Sequence, residues 1–558
     1  MQEVLPRGRR SGQHDTMVPM RFAAVCLLSL SLFAQNRAAP AIDTIRREEL
    51  RADLFFLASD GMRGRLTNTP EYDLAAEWIA SRFARLGLQK LGDLDSYFQR
   101  FELVTAKLGE VNRLVLGSPE ARRTVKLGEE FYPLNFSANG EVKGRGAALV
   151  GYGIQAPEHE WDDYKGRDVK GLIVVVFDGD PDADNPKSPF DGVVTSDHAN
   201  ARSKALTAQQ HGAAALLVVN VRPRNGRGPA FAANYWPKTT PRIDRFQLAT
   251  DAEKIRIPVL QITPAIAEAI LGTSVEGMQK QADSGGGVVY LATSSPVELA
   301  ASVSRTTVAD RNLVARIEGS DPVLKDEAVI VSAHYDHDGA DGPRVFNGAD
   351  DNGSGTVAVL EIAQAYVNAA RLGQRPKRTV IFAVWGSEER GLLGSWAWVA
   401  NPLWPLEKTV ASLNMDMIGR NEEVPEGGGP RFTGLKPQTS ASNANTVNIM
   451  GYSFNPELAE MVRAANKETD LTLKMEYDNN RANLVRRSDQ WPFLQHHVPS
   501  VFFHTGLHPD YHTTGDRPER IEYPKMERIV KLVYQSSWDI ANSPKRVKMP
   551  AKREIPAP

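Results

Sequence analysis

A chain of 558 residues exceeds what one hydrophobic core usually organises, so more than one domain is expected. Its 66 basic and 68 acidic side chains leave a formal charge of −2, which excludes a global basic field that would draw it to nucleic acid or an anionic membrane. The one cysteine, Cys26, falls in the N-terminal apolar segment, so a mature chain lacking that segment has neither thiolate metal ligands nor a cysteine nucleophile.

The first element is that segment, FAAVCLLSLSLFA (22–34), which follows Arg21 and precedes the small residues of RAAPA. Its length suits the h-region of a signal peptide and is too short to span a bilayer. Residues 1–16 are charged and unlike an n-region, which makes Met17 and Met20 alternative starts. Export to the periplasm or medium is expected, with no stable membrane span after signal cleavage.

TPEYDLAAEWIASRFARLGL (69–88) reads as an amphipathic helix capped by Thr69, with Pro70 in its first turn and a stop at Gly87. Leu74, Trp78, Ile79, Phe83 and Leu86 form its expected buried stripe. From about 100 to 300 short β-rich runs dominate, among them AALVGYG (147–153) and GLIVVVF (171–177). KALTAQQHGAAALLVVNV (204–221) reads as a helix, a glycine stop and a buried strand, and the acidic DGDPDADNP (178–186) as a solvated loop.

Beyond about 305, apolar runs alternate with helices: AVIVSA (328–333), GTVAVLEIAQAYVNAA (355–370), TVIFAVW (379–385), ASLNMDMI (411–418) and PSVFFH (499–504). This pattern predicts an α/β fold, a mostly parallel (mixed) sheet covered by helices on both faces. The proline-rich C-terminal end is expected to be disordered.

Ligands of such sheets bind beyond the carboxyl ends of the strands. AVIVSA runs into HYDHDG (334–339) with His334 and Asp336; TVIFAVWGS into Glu388 and Glu389; ASLNM into Asp416; PSVFF into His504 and then HPDYH, ending at His512. NGADDNGSG (347–355) sets Asp350 and Asp351 on a glycine-rich turn before a helix. HYDHDG alone reads as a polar turn. Carboxylates gathered from several segments at one edge repel one another unless a cation neutralises them. Imidazoles among the oxygens favour zinc, or another imidazole-tolerant metal, over calcium or magnesium.

In this order HYD, GADDNGSG, WGSEERGLLGS, NMDMIG and SDQWPFLQHHVPSVFFHTGLHPDYH resemble the exported di-zinc exopeptidases, a family that contains bacterial leucyl-type aminopeptidases and glutamate carboxypeptidase II. GYGIQAPEHEWDDYKGRDVKGLIVVV, with the Ala-rich helix and strand after it, resembles the β-rich protease-associated (PA) domain inserted into several exported peptidases. The resemblance implies a signal peptide and leader in 1–39, an N-terminal part of the peptidase domain in 40–130, a PA insertion in 131–300, the catalytic domain in 301–543 and a disordered tail in 544–558.

It also implies two Zn2+ per chain. His334, Asp351 and Asp416 would hold one, and Asp351, Glu389 and His512 the other. Asp351 is taken as the bridge because the family's bridging aspartate directly precedes the residue that opens the Gly/Ser turn, here Asn352. Glu388 is the implied general base, Asp336 the neighbour that orients His334, and Tyr511 a stabiliser of the tetrahedral oxyanion.

Asp489 is expected to be structural support. His337, Asp338, His504 and His508 are expected in loop or supporting packing, His496 and His497 in capping or at the surface, and GDRPERIEY (515–523) as a solvated exit from the metal loop. The implied activity is an aminopeptidase acting on peptide substrates, with oligomeric state left open. The alternatives are a carboxypeptidase or dipeptidase, for which Arg486 and Arg487 offer a cationic pocket, and a non-catalytic binding protein.

Overall fold

The continuous β-branched runs become strands buried at every position: Ala328–His334, Thr379–Trp385 and Thr409–Met415. A strand covered on both faces has no polar side to offer water. Ala328–His334 pairs in parallel with both of the others, and Thr409–Met415 pairs in parallel with Ser500–His504. Antiparallel strands flank this parallel centre, Val303–Ile317 on one side and Thr446–Met450 on the other, so the ten-stranded sheet is mixed. The structure is a computed structural model that describes residues 38–221, 235–237, 241–284 and 289–557; the expected signal segment, 22–34, lies outside them.

Successive residues of a strand face opposite sides, so Phe382 and Trp385 report on different faces. Phe382 lies 5.7 Å from Tyr366 of helix Gly355–Arg371, and Tyr366 lies 5.0 Å from Tyr534 of helix Tyr523–Asn542. Trp385 meets Trp398 of helix Leu393–Ala400 at 5.6 Å and Phe493 of helix Gln490–Gln495 at 5.8 Å. Helices thus cover both faces, and the carboxyl ends of the parallel strands open on one edge.

The insertion carries its own eight-stranded sheet, centred on the fully buried parallel strands Ile173–Phe177 and Ala215–Val219. That sheet takes in Arg113–Leu116, inside the stretch 40–130 expected to belong to the peptidase part. Conversely, Phe246–Leu248, from the stretch 131–300, pairs with Phe98–Leu108 in the ten-stranded sheet. Strand pairing, invisible to composition, moves both boundaries. Both sheets belong to one compact unit, Pro40–Pro558.

Helix Pro70–Leu86 forms as expected, with Tyr72 N–H donating to the Thr69 hydroxyl and Gly87 in the left-handed region at φ 71°. Its buried face is Tyr72, Ala75, Ala76, Ile79, Ala80 and Phe83, whereas Leu74 is 51% exposed. Small alanines let the helix approach its neighbours closely, which turns the stripe away from Leu74. The expected disorder of 544–558 is also corrected over its described residues, 544–557. Val547 is buried, and Arg553 pairs with Asp191 at 2.6 Å over the ring of Phe454 at 3.6 Å. Among the described residues no helix is long and apolar enough to cross a membrane.

Candidate metal centre

The strand ends converge. His334 Nε2 lies 3.5 Å from an Asp351 oxygen (Oδ1), 3.5 Å from Asp416 Oδ2 and 3.6 Å from Glu388 Oε2. His512 Nε2 lies 3.0 Å from the other Asp351 oxygen, Oδ2, and 3.4 Å from Glu389 Oε2. Asp351 therefore turns one carboxylate oxygen to each histidine. Burial alone would raise its proton affinity, but His334 and His512 hold it well below the usual carboxylate range.

Asp350, adjacent in sequence, faces elsewhere: it accepts from Gly419 N–H at 2.6 Å and lies 3.2 Å from His508 Nε2. The backbone between the two aspartates is fixed by Asp516, whose carboxylate accepts from the N–H groups of Asp350 and Asp351 at 2.9–3.1 Å. Asp516 is fully buried, which corrects the solvated reading of GDRPERIEY at that residue. Gly348 enters this turn at φ 56°, where a Cβ would collide with the Asp351 carbonyl oxygen and the His337 ring.

The two aspartates of HYDHDG divide the support. Asp336 accepts from Glu388 N–H at 2.9 Å and Glu389 N–H at 3.1 Å, clamping the turn that presents both glutamates, while His334 Nδ1 stands 3.5 Å away. It positions the glutamates more directly than the histidine it was expected to orient. Asp338 Oδ2 lies 2.8 Å from His512 Nδ1, and its Oδ1 accepts from Arg390 at 2.9 Å. An Nδ1–H donated to Asp338 leaves Nε2 as a lone pair aimed at Asp351. His337 Nδ1 sits 2.8 Å from Glu389 Oε1 and 4.0 Å from Asp351 Oδ2, nearer the cluster than a loop role requires.

Residues 312–537 match Peptidase family M28, and residues 139–270 match the PA domain. Residues 312–537 thus form a peptidase family M28 domain, and a PA domain accompanies it in the same chain. A probable zinc metalloprotease of Pyricularia oryzae is 27% identical over 307 residues, which cover 49% of this chain and 58% of the relative. The probable glutamate carboxypeptidase LAMP1 of Arabidopsis thaliana is 30% identical over 296 residues, covering 50% of this chain and 37% of the relative. The matched stretches thus span less than two thirds of either relative's length. Among solved structures, an aminopeptidase from Aneurinibacillus sp. strain AM-1 is 17% identical with a TM-score of 0.46, covering 91% of this chain and 97% of that one.

The residues of the M28 domain fit a metal on structural grounds. His334 Nδ1 and Nε2, His512 Nε2, His337 Nε2 and Asp416 Oδ1 are buried without a hydrogen-bond partner, and buried polar atoms ordinarily have one. His334–Asp351–Asp416, His337–Asp351–Glu389 and Asp338–Glu389–His512 are each spaced to hold an ion. The mixed imidazole and carboxylate set suits zinc.

Two buried braces escaped the sequence reading. Arg65, fully buried, donates to the carbonyls of Tyr335, Leu57, Asn347 and Gly348 at 2.8–2.9 Å, tying the HYD and GADD segments together. Burial lowers its guanidinium to about 10 against the pull of Asp336 and Asp516. Asp310, pushed up to about 7 by burial, bonds Tyr72 and Ser387, the residue before Glu388, at 2.5 Å each.

Asp489 is held by Ser395 at 2.5 Å and is likewise pushed up to about 7 by burial. His504 Nδ1 meets the Asp416 carbonyl at 2.8 Å, and His496 Nδ1 the Pro492 carbonyl at 2.9 Å as a helix-end contact. A cavity of about 270 Å³ opens over the cluster. Glu388 and Tyr511 line it, with Met417, Leu484, Phe502 and Leu507 as its apolar wall and Arg486 and Arg487 beside them.

Asp338→Asn is the direct test of the His512 brace. The isosteric amide no longer anchors the tautomer with a charge, so metal affinity of the group around His512 should fall about 10–100-fold, read by chelator competition. Affinity unchanged from wild type would remove Asp338 from the positioning role.

Proposed function

We propose that the chain is a zinc-dependent exopeptidase, most simply an aminopeptidase, that uses two zinc ions, with Asp351 placed to serve both, and acts outside the cytoplasm. The single observation that carries the binuclear reading is the split of the Asp351 carboxylate, one oxygen toward His334 and one toward His512. His334, Asp351 and Asp416 would hold one ion, and Asp351, Glu389 and His512 the other. Bound there, the ions would supply Lewis-acid activation of the attacking water and of the scissile carbonyl.

This chain's own groups do the rest. Glu388 accepts the proton of the attacking water and returns it to the leaving amine. Asp336 holds the Glu388 backbone so that its carboxylate stays over the cavity. The Tyr511 hydroxyl is kept protonated by burial and can donate to the oxyanion. The apolar wall receives a hydrophobic side chain and excludes water from the reacting bond. The export reading is supported by the apolar segment 22–34.

One observation favours the carboxypeptidase or dipeptidase reading: Arg487 is exposed, lines the cavity, and pairs with no carboxylate among the described residues. Free, N-blocked and C-blocked peptides separate the two. An aminopeptidase should fail on the N-blocked set, a carboxypeptidase on the C-blocked set and a dipeptidase on both. A chelator should abolish turnover and zinc restore it. Hydrolysis that survives complete metal removal would sink the proposal.

A further inference from the structure

The insertion holds a second group of ligand-type side chains that the peptidase reading does not use. Glu158 and His159 lie on the short turn Pro157–His159, and His198 on the turn Asp197–Ala199. One potential ligand atom from each comes within 4.8 Å of the others. Glu158 Oε1 stands 2.8 Å from His198 Nε2, and the two imidazole rings are 5.9 Å apart at 76°. Both rings pack edge-on against Phe190, at 5.0 and 5.8 Å, and Phe190 is itself buried and edge-on to Trp161. Apolar packing behind the rings fixes their orientation, while the Glu158 side chain stays 56% exposed and leaves a path for an ion. Asp180 and Asp191 also act on His159, so the surroundings carry negative charge.

We propose that Glu158, His159 and His198 form a further metal site, distinct from the centre in the M28 domain, that takes a zinc-class divalent transition metal. Two imidazoles and one carboxylate form a ligand set used by zinc, with water completing the coordination. The carboxylate–imidazole hydrogen bond present here would give way to two metal bonds, with His198 as the neutral imidazole.

The location gives such an ion a consequence. The loop that leads into His198 is docked on the M28 domain: Val193 N–H donates to Asn479 at 2.9 Å and Thr195 N–H to Asn483 at 3.0 Å. Asp197 lies 3.3 Å from the Trp491 indole nitrogen and 3.7 Å from Arg486, which also donates to the Thr195 carbonyl. Arg486 lines the substrate cavity. An ion joining turn 157–159 to the end of this loop would pin the segment that holds Arg486, so its loss should loosen substrate binding and leave the chemical step alone.

The test counts metal on the whole enzyme and does not depend on how many ions the M28 centre holds. Wild type and a His159→Ala/His198→Ala variant are equilibrated with micromolar zinc and analysed for zinc per folded chain. Wild type is expected to hold one equivalent more, and the variant to show a raised KM with kcat unchanged. Identical zinc content in the two would overturn the site and leave the 2.8 Å contact as an ordinary hydrogen bond. Should the double variant fold poorly, Glu158→Gln at its exposed position substitutes for it. Cobalt(II) titration should then show affinity at this site weakened about tenfold or more, and superimposable titrations overturn the proposal.

Discussion

Glu388→Gln is expected to lower kcat by about 10²–10⁴-fold while zinc content stays at the wild-type level. The amide fills the same volume, and the proposed ligands His334, Asp351, Asp416, Glu389 and His512 keep their geometry because Asp336 clamps the turn through backbone N–H groups that the substitution leaves intact. What disappears is the cavity-lining carboxylate to which the proposal gives no ion. Burial pushes the Glu388 carboxyl well up, and Asp416, Glu389 and Asp489 add to this while His334 opposes it.

The sign of the pH effect follows. A base with a raised pKa is available above that value and lost as pH falls through it. The wild-type kcat/KM profile should therefore show an acid limb that Glu388→Gln lacks. Rates within a few-fold of wild type would show that Glu388 is not the base. Lost zinc together with lost rate would instead make it a ligand.

Much of this centre was legible because parallel strands end at one edge, so the residue after each apolar run arrives at a shared place whatever its distance in sequence. His334, Glu388, Glu389 and Asp416 are found this way, and His512 by its position in the loop after the last such strand. The residues that were missed act across the fold. Asp516 reaches backbone N–H groups 165 and 166 residues away, and Arg65 spans up to 283 residues to carbonyls of both ligand turns. A lone arginine or aspartate in a polar stretch has no local pattern to mark it, because its partners are backbone atoms that any sequence supplies.

Leu74 and the tail were misread for a related reason. Hydrophobic spacing says which side of a helix prefers burial, but the neighbouring surface decides where the stripe lies. Arg553 finds Asp191 and Phe454 only once the chain has folded. Asp338 lay in plain view within HYDHDG and gained its role only when His512 was brought beside it.

The neighbouring aspartates of GADD provide the sharpest remaining contrast. Asp351→Asn should strip the proposed centre of both ions, because it removes the carboxylate that faces His334 with one oxygen and His512 with the other. The loss of metal affinity should exceed about 100-fold, the upper figure for residues that only support a ligand, and hydrolysis should fall to background. Asp350→Asn makes the same chemical change one residue earlier and should leave both ions in place. Its side chain faces His508 and the Gly419 N–H, so the cost falls on stability, about 1–3 kcal/mol for a weakened buried network. Metal analysis and thermal unfolding of the two variants side by side separate the roles. The reverse outcome, with metal lost in Asp350→Asn and retained in Asp351→Asn, would assign the bridge to the wrong residue and with it the division of ligands between His334 and His512.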